Sequence, residues 1–218
     1  MLENIEVINH SCIKIKKERI IYIDPFKVLE ESNDADFIFI THNHYDHYSE
    51  EDIKKVLNKD TKIIVTYDIK ESVEKYIPHD NIICVKPGEE YNLQDLSFKT
   101  IPAYNINKQF HSKNNNWVGY IIKLSDVKYY IAGDTDITEE NKNVKCDVAF
   151  VPVGGTYTMT AKEAAMLINI IKPKFAVPIH YGSIVGTYQD AVEFINLLDN
   201  EINGIILNKF VDKKSNNI

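Results

Sequence analysis

The sequence predicts an α+β protein in which two β layers pack together with helices outside them. Two observations carry this. Each half of the chain opens with short β-branched runs separated by polar turns, and each half then passes into an alternation of strands and amphipathic helices. A length of 218 residues suits one sizeable core. No Gly/Ser-rich linker divides the chain, so residues 1–218 are expected to form a single domain ending in a polar tail from Asp212.

Ile5–Ile8, Cys12–Ile15 and Ile20–Ile23 read as strands, with a polar hairpin at Lys16-Lys17-Glu18. Asp24-Pro25 ends the third run. Phe37–Ile40 is a continuous apolar run of strand length, which predicts burial on both faces. Ser49 caps a helix whose first turn is acidic and whose apolar stripe is Ile53, Val56 and Leu57. Lys62–Thr66 is a strand, Ile69–Tyr76 a short helix and Ile82–Val85 a strand, and Pro87-Gly88 marks a turn. Strands follow at Leu96–Ala103, Val118–Leu124, Lys128–Ala132 and Val148–Val153. Trp117, Tyr120, Tyr129 and Tyr130 are read as core or sheet-face residues. Thr160-Ala161-Lys162-Glu163 is a capping box, and the helix behind it buries Ala164, Leu167, Ile168 and Ile171 before Pro173 stops it. Phe175–Ile179 is a strand leading into His180, Tyr188–Leu198 a helix, and Ile205–Leu207 a last strand.

A formal net charge of -7 disfavours a nucleic-acid or anionic-membrane binder, since those partners reward clustered Lys and Arg. The three cysteines, Cys12, Cys84 and Cys146, are far apart and odd in number, which rules out a full disulfide framework and favours buried strand residues over metal ligands. No basic, apolar leader opens the chain and no long apolar run follows. The expected location is the cytoplasm.

The strongest chemical signal is His42-x-His44-x-Asp46-His47, four potential ligands directly after a buried strand. The chain holds 7 histidines, and three of them in one short window are hard to ascribe to a polar loop. A purely structural zinc site would favour cysteine. Imidazoles with a carboxylate suit zinc, manganese or iron. His42 and His44 share one direction if the chain is still extended there, while Asp46 and His47, past the bend, can face a second ion.

Thr-His-x-His-x-Asp-His after an apolar strand resembles the central motif of the metallo-β-lactamase fold. Ala132-Gly133-Asp134-Thr135-Asp136 resembles that family's Gly-Asp-Thr segment, and Pro178-Ile179-His180-Tyr181-Gly182 its last ligand motif. Asn9-His10-Ser11 resembles an N-terminal histidine of the branch that includes ascorbate-6-phosphate lactonase-like proteins and the N-acyl-phosphatidylethanolamine phospholipase. The resemblance spans residues 5 to 207. It implies a four-layer αββα sandwich with two divalent ions, zinc foremost and manganese or iron as alternatives. It places His42 and His44 on the first ion, Asp46, His47 and His180 on the second, and Asp134 as the bridge.

One position departs from the pattern. Related members carry Pro-Ala-x-His, whereas this chain has Pro102-Ala103-Tyr104-Asn105. His111, six residues on, is expected to replace the missing histidine, because a neutral amide is a poor zinc ligand. A weakened first site, a single-metal enzyme and a substrate contact for His111 are the alternatives. Asn105 and Gly155 are expected to touch substrate, the latter because Gly154-Gly155 follows an apolar strand and permits close approach. His79 reads as a surface turn. Asp24 either buttresses a ligand histidine or simply forms a turn. Lys108 and Lys113 read as exposed loop lysines rather than an anion trap.

The expected chemistry is hydrolysis of a small ester, lactone or phosphodiester by a metal-bound hydroxide. Asp46 would orient the nucleophile or accept its proton, with His10 or His111 stabilising the oxyanion or leaving group. The likeness to lactonases of a sugar-acid phosphate points to a small anionic substrate, with no nucleic-acid or membrane partner. A nuclease-type phosphodiesterase and a non-catalytic metal-binding module are the competing readings. A di-iron oxidoreductase would commonly bring a flavin domain, which this sequence does not carry.

Overall fold

The computed structural model describes residues 1–93 and 96–208. The chain divides into two compact units, an N-terminal one of Leu2–Lys86 with Asn208 and a C-terminal one of Pro87–Leu207 with Met1.

The N-terminal unit is built on a six-stranded sheet in simple chain order: β1 (Ile5–Asn9), β2 (Cys12–Lys16), β3 (Ile20–Ile23), β4 (Phe37–Phe39), β5 (Lys62–Thr66) and β6 (Ile82–Val85). The first two junctions are antiparallel and the other three parallel. β4 is buried on both faces, as its unbroken apolar run requires. Each fully buried Ile or Phe there contributes roughly 1.5–3 kcal/mol over its exposed state. Helix α1 (Glu50–Val56) crosses from β4 to β5, and the Ser49 side chain accepts from the Asp52 amide. Ile53 and Val56 are buried while Leu57 is the half-buried C-cap. Asp52 is buried too, and its carboxylate accepts from the Lys27 and Val28 amides at 2.8 and 3.0 Å, pinning the long β3–β4 connection.

The C-terminal unit carries a seven-stranded sheet: β7 (Glu90–Leu93), β8 (Leu96–Pro102), β9 (Val118–Leu124), β10 (Val127–Ile131), β11 (Val148–Pro152), β12 (Phe175–Ile179) and β13 (Asn203–Gly204), ordered β13-β12-β11-β10-β9-β8-β7. β7 to β10 form an antiparallel meander, and β10 to β13 run parallel. Trp117, Tyr120, Tyr129 and Tyr130 are buried in this sheet region, as expected. Helix α3 (Ala161–Ile171) has the full Thr160/Glu163 capping box, buries Ala164, Leu167, Ile168 and Ile171, and ends at Lys172 in a left-handed conformation. Helix α4 (Tyr188–Asn196) connects β12 to β13.

Both sheets follow one plan, a meander that turns into parallel strands, and strand direction then positions the functional residues. β1 runs the same way as β3 to β6, two antiparallel steps away. Hence His10 after β1, Asp24 after β3 and Thr41–His47 after β4 sit at one edge of the N-terminal sheet. By the same parity Asn105 after β8, Asp134 after β10, Gly154 after β11 and His180 after β12 sit at one edge of the C-terminal sheet. Ligand sites of open α/β sheets lie at this carboxyl end.

Three elements differ from expectation. The helix expected over Ile69–Tyr76 is a 3-10 turn, Tyr67–Ile69, followed by one α turn, α2 (Lys70–Val73). The last strand is Asn203–Gly204, not Ile205–Leu207, because its pairing is with Phe175 and Ala176. β7 was not anticipated: it is an edge strand whose residues alternate exposed and half-buried, so it lacks the apolar run that marks an interior strand. The polar tail from Asp212 lies outside the described residues.

Candidate functional site

In the N-terminal unit the donors are arranged around Asp24. Its Oδ1 accepts from the Thr41 amide at 2.8 Å, and its Oδ2 accepts from the Thr41 hydroxyl at 2.7 Å and pairs with His47 Nδ1 at 2.8 Å. Burial pushes this carboxyl above its ordinary range, against the opposing pull of the His47 imidazole and the Thr41 bonds. The Thr41 hydroxyl, having given its hydrogen to Asp24, faces His42 Nδ1 at 2.9 Å with a lone pair. Both His42 and His47 are thus held with the hydrogen on Nδ1, which turns the Nε2 lone pair into the ligand atom. Of the two roles open to Asp24 in the sequence, the buttress is the one observed.

His42 Nε2 lies 3.1 Å from His44 Nδ1. Asp46 Oδ2 lies 3.3 Å from His10 Nε2 and 3.5 Å from His47 Nε2. Two donors about 2.1 Å from a common tetrahedral ion stand about 3.4 Å apart, so these groups are close enough to share an ion. His10, His42, Asp46 and His47 are buried, and His44 is half-buried.

The C-terminal unit supplies a second set. Asp134 Oδ2 is 3.1 Å from His111 Nε2 and 3.1 Å from His180 Nε2. One carboxylate oxygen placed equally beside two imidazoles, all three groups buried, forms a compact set of candidate metal ligands. The Thr135 hydroxyl stitches this loop to the end of β8 through the Tyr104 carbonyl at 3.1 Å, and the Tyr104 amide returns a bond at 3.2 Å. Asn105 is buried beside His111. Its Nδ2 donates to the Phe110 and Tyr157 carbonyls at 3.0 and 2.7 Å and lies 3.2 Å from His111 Nδ1.

Four of the residues singled out occupy the left-handed region without being glycine: His10 (φ 53), Asp24 (φ 45), His111 (φ 60) and His180 (φ 59). Such backbone costs about 1–3 kcal/mol per residue and collects where function demands it. The Gly154-Gly155 loop is constrained by its own contacts. The Gly155 amide is taken by the Met159 carbonyl at 3.1 Å, so it is not offered to a substrate. Gly154 is the constrained glycine: a Cβ there would stand 2.4 Å from the His180 carbonyl oxygen and 3.3 Å from His180 Nδ1.

Lys108 is ion-paired with Asp136, and Lys113 with Glu140 at 2.8 Å. Lys113 is exposed, as expected, whereas Lys108 is half-buried against Asp136. His79 is exposed in a 3-10 turn. Cys12 and Cys146 have thiols pushed up to about 12 by burial, and among the described residues no cysteine joins the donor sets. Cys12 and Cys84 lie on strands, whereas Cys146 precedes β11. A groove of about 640 Å³ on the C-terminal sheet, lined by Lys99, Ile121, Lys123 and Lys128 among others, contains none of the donors. Donor chemistry, not groove size, locates the candidate site. No helix among the described residues is long and apolar enough to cross a membrane.

These donors and sheets define a class. Residues 4–180 match the model of the beta-lactamase superfamily domain, a span that covers every donor named above and crosses from one unit into the other. The fold is the metallo-β-lactamase α/β sandwich fold, with two mixed sheets and helices. A UPF0173 metal-dependent hydrolase of Thermococcus kodakarensis is 30% identical over 93% of this chain and 95% of its own length. Another, of Thermococcus onnurineus, is 29% identical with the same coverage. A crystal structure of a candidate metal-dependent hydrolase from Parabacteroides distasonis superposes with a TM-score of 0.80 at 28% identity, covering 93% of this chain and 91% of that one. The chain belongs to the UPF0173 metal-dependent hydrolase family.

Proposed function

We propose that this protein is a binuclear metal-dependent hydrolase acting on the ester, lactone or phosphodiester bond of a small molecule in the cytoplasm. On the family resemblance, His42, His44 and His111 would hold the first ion, Asp46, His47 and His180 the second, and Asp134 would serve both. The observation that carries the reading is Asp134 Oδ2 at 3.1 Å from both His111 Nε2 and His180 Nε2. It favours His111 as the replacement for the histidine that Asn105 displaces. The family model, continuous over 4–180, supports treating the donors of both units as parts of one domain. Imidazole and carboxylate donors suit zinc, with manganese or iron as alternatives.

When bound, such ions supply Lewis acidity, polarising a substrate oxygen and making water acidic enough to attack at neutral pH. The protein's own groups do the rest. Asp46 accepts the proton of the attacking water at Oδ2, and His10 Nε2, 3.3 Å away, holds it for the leaving group. Asp24 keeps His47 and, through Thr41, His42 in the ligand tautomer. Asn105 spends both Nδ2 hydrogens on the Phe110 and Tyr157 carbonyls, which leaves Oδ1, buried and without a hydrogen-bond partner among the described residues, to accept from substrate. The branch likeness at Asn9-His10-Ser11 makes lactones the first compounds to try.

The test is elemental analysis of protein purified without a metal-binding tag, with Asp134→Ala alongside, then a screen of lactones, esters and phosphodiesters under the metal found. About two ions per chain, lost in the variant, with turnover in the screen, is the expected result. One tightly held ion would reduce the mechanism to a single metal. No metal after reconstitution would overturn it, and robust cleavage of RNA or single-stranded DNA would replace the small-molecule substrate with nucleic acid.

A further inference from the structure

The loop that carries His111 also carries an aromatic platform, and its chemistry bears on what the enzyme hydrolyses. Asn105 and His111 close the loop, the Asn105 amide donating to the His111 carbonyl at 2.8 Å, and both side chains are buried. Between them Ile106 and Phe110 are 59% and 49% exposed. Large apolar side chains so close to buried polar ones are not there to fill the core. Phe110 is also ordered rather than merely exposed. Its ring meets Tyr157 edge-on at 4.9 Å between centroids. The carbonyls of both residues are gripped by the one Asn105 amide group that also touches His111. The aromatic pair is therefore fixed, through a single side chain, to a donor of the Asp134 set.

Charge recognition at the same loop is weak. Its lysine, Lys108, is neutralised by Asp136, and Lys113, just beyond His111, by Glu140. A free phosphate or carboxylate would have to displace an intramolecular partner from either.

We infer that Phe110, Tyr157 and Ile106 form the specificity surface for an aryl or long alkyl group carried next to the scissile bond, so that the substrate class is an apolar ester or lactone rather than a small anionic one. This rests on the hydrolase reading above. Apolar burial against a preorganised aromatic pair supplies binding energy remote from the reacting atoms, and Asn105 keeps that surface in register with His111. Phe110 acts as a specificity residue, and the Asn105 Nδ2 amino group, apart from the substrate-facing Oδ1, holds it in place.

Two measurements on the metal-loaded full chain test this separately. In the first, kcat/KM is measured for ethyl 4-phenylbutanoate, ethyl acetate and the monoanion of monoethyl succinate. The wild type is expected to favour the phenyl ester over both others by at least ~10-fold, as burying a phenyl group predicts. Phe110→Ala should collapse that ratio towards one. Met166→Ala, an equally exposed apolar residue on α3, should leave the ratio alone. In the second, binding needs no turnover. Trp117, the sole tryptophan, packs edge-on at 5.6 Å from His111 and reports occupancy by fluorescence. 4-Phenylbutan-1-ol should titrate the signal at least ~10-fold more tightly than inorganic phosphate or butan-1-ol, and Phe110→Ala should remove that advantage. A wild type that prefers the succinate ester or phosphate, or a Phe110→Ala protein that keeps the wild-type ratios, overturns the inference. If the loaded wild type cleaves neither these esters nor any lactone or phosphodiester of the earlier screen, the hydrolase reading fails, and the fluorescence titration alone decides whether the aromatic surface binds apolar groups.

Discussion

Asp24→Asn is the sharpest single perturbation of the N-terminal donor set. The change is isosteric, and asparagine tolerates the left-handed backbone at φ 45. If Oδ1 still faces the Thr41 amide at 2.8 Å, the new amino group replaces Oδ2, which faced the Thr41 hydroxyl at 2.7 Å and His47 Nδ1 at 2.8 Å. Two N–H groups then point at each other. The relief is for His47 to move its hydrogen to Nε2, which covers the lone pair a metal needs. The hydroxyl must also reverse, which removes the acceptor for His42 Nδ1–H. Loss of such an outer partner typically costs 10–100-fold in metal affinity, about 1.4–2.7 kcal/mol. The same mismatch, buried, should destabilise the metal-free fold by about 1–3 kcal/mol. The assay is a zinc titration against a competing chelator, with urea unfolding of the metal-free protein to show that the variant is folded. A folded Asp24→Asn protein with wild-type zinc affinity would refute the argument that Asp24 sets the histidine tautomers.

The other expectations come from equally specific contacts. His111→Ala should lower the metal stoichiometry by about one ion, read by elemental analysis; unchanged content and affinity would return His111 to a substrate contact. Gly154→Ala drives a Cβ to 2.4 Å from the His180 carbonyl and 2.9 Å from a Val185 methyl, so overpacking of about 1–3 kcal/mol and a loss of metal should appear together in thermal melts and metal analysis. Gly155→Ala meets nothing closer than 3.4 Å and should cost only its backbone strain at φ 78. Ile38→Ala, in a fully buried site of β4, should cost about 2–5 kcal/mol in urea unfolding. Glu140 is held down to about 2, from an ordinary 4.5, by Lys113 and, more weakly, by the Tyr104 hydroxyl. Its contribution to stability is therefore complete above the ordinary carboxylate range and fades as pH falls from about 4.5 towards about 2. Lys113 is exposed, so that contribution is below about 1 kcal/mol. Glu140→Gln should flatten this acid limb, and an unaltered slope would refute the pairing.

What could be read from the chain alone follows from how local each signal is. Phe37–Ile40 and the ligands after it form one contiguous stretch, so both the buried strand and the histidine cluster were visible. The capping boxes and the helical stripe of α3 are equally local. β7 escaped because an edge strand needs no apolar run, and β13 shifted because its two residues are defined by their partners Phe175 and Ala176 rather than by their own pattern. His111, Asp134 and His180 posed a different problem. They follow, or lie in the loops after, different strands, and two of them need a left-handed backbone that no residue type announces in a histidine. Only the likeness to a known motif grouped them. The physical rule that groups them is strand parity. In a meander every second strand ends at the same edge, and in the parallel part every strand does. His10 after β1 therefore reaches the edge that holds Asp24 and Asp46, and Asn105 with His111 after β8 reaches the edge that holds Asp134 and His180. The contact of His111 with Asp134 arises in the same way. The loop after β8 already delivers its side chains to that edge, so six further residues, closed by the Asn105–His111 backbone bond, can return a histidine to Asp134 without moving a strand.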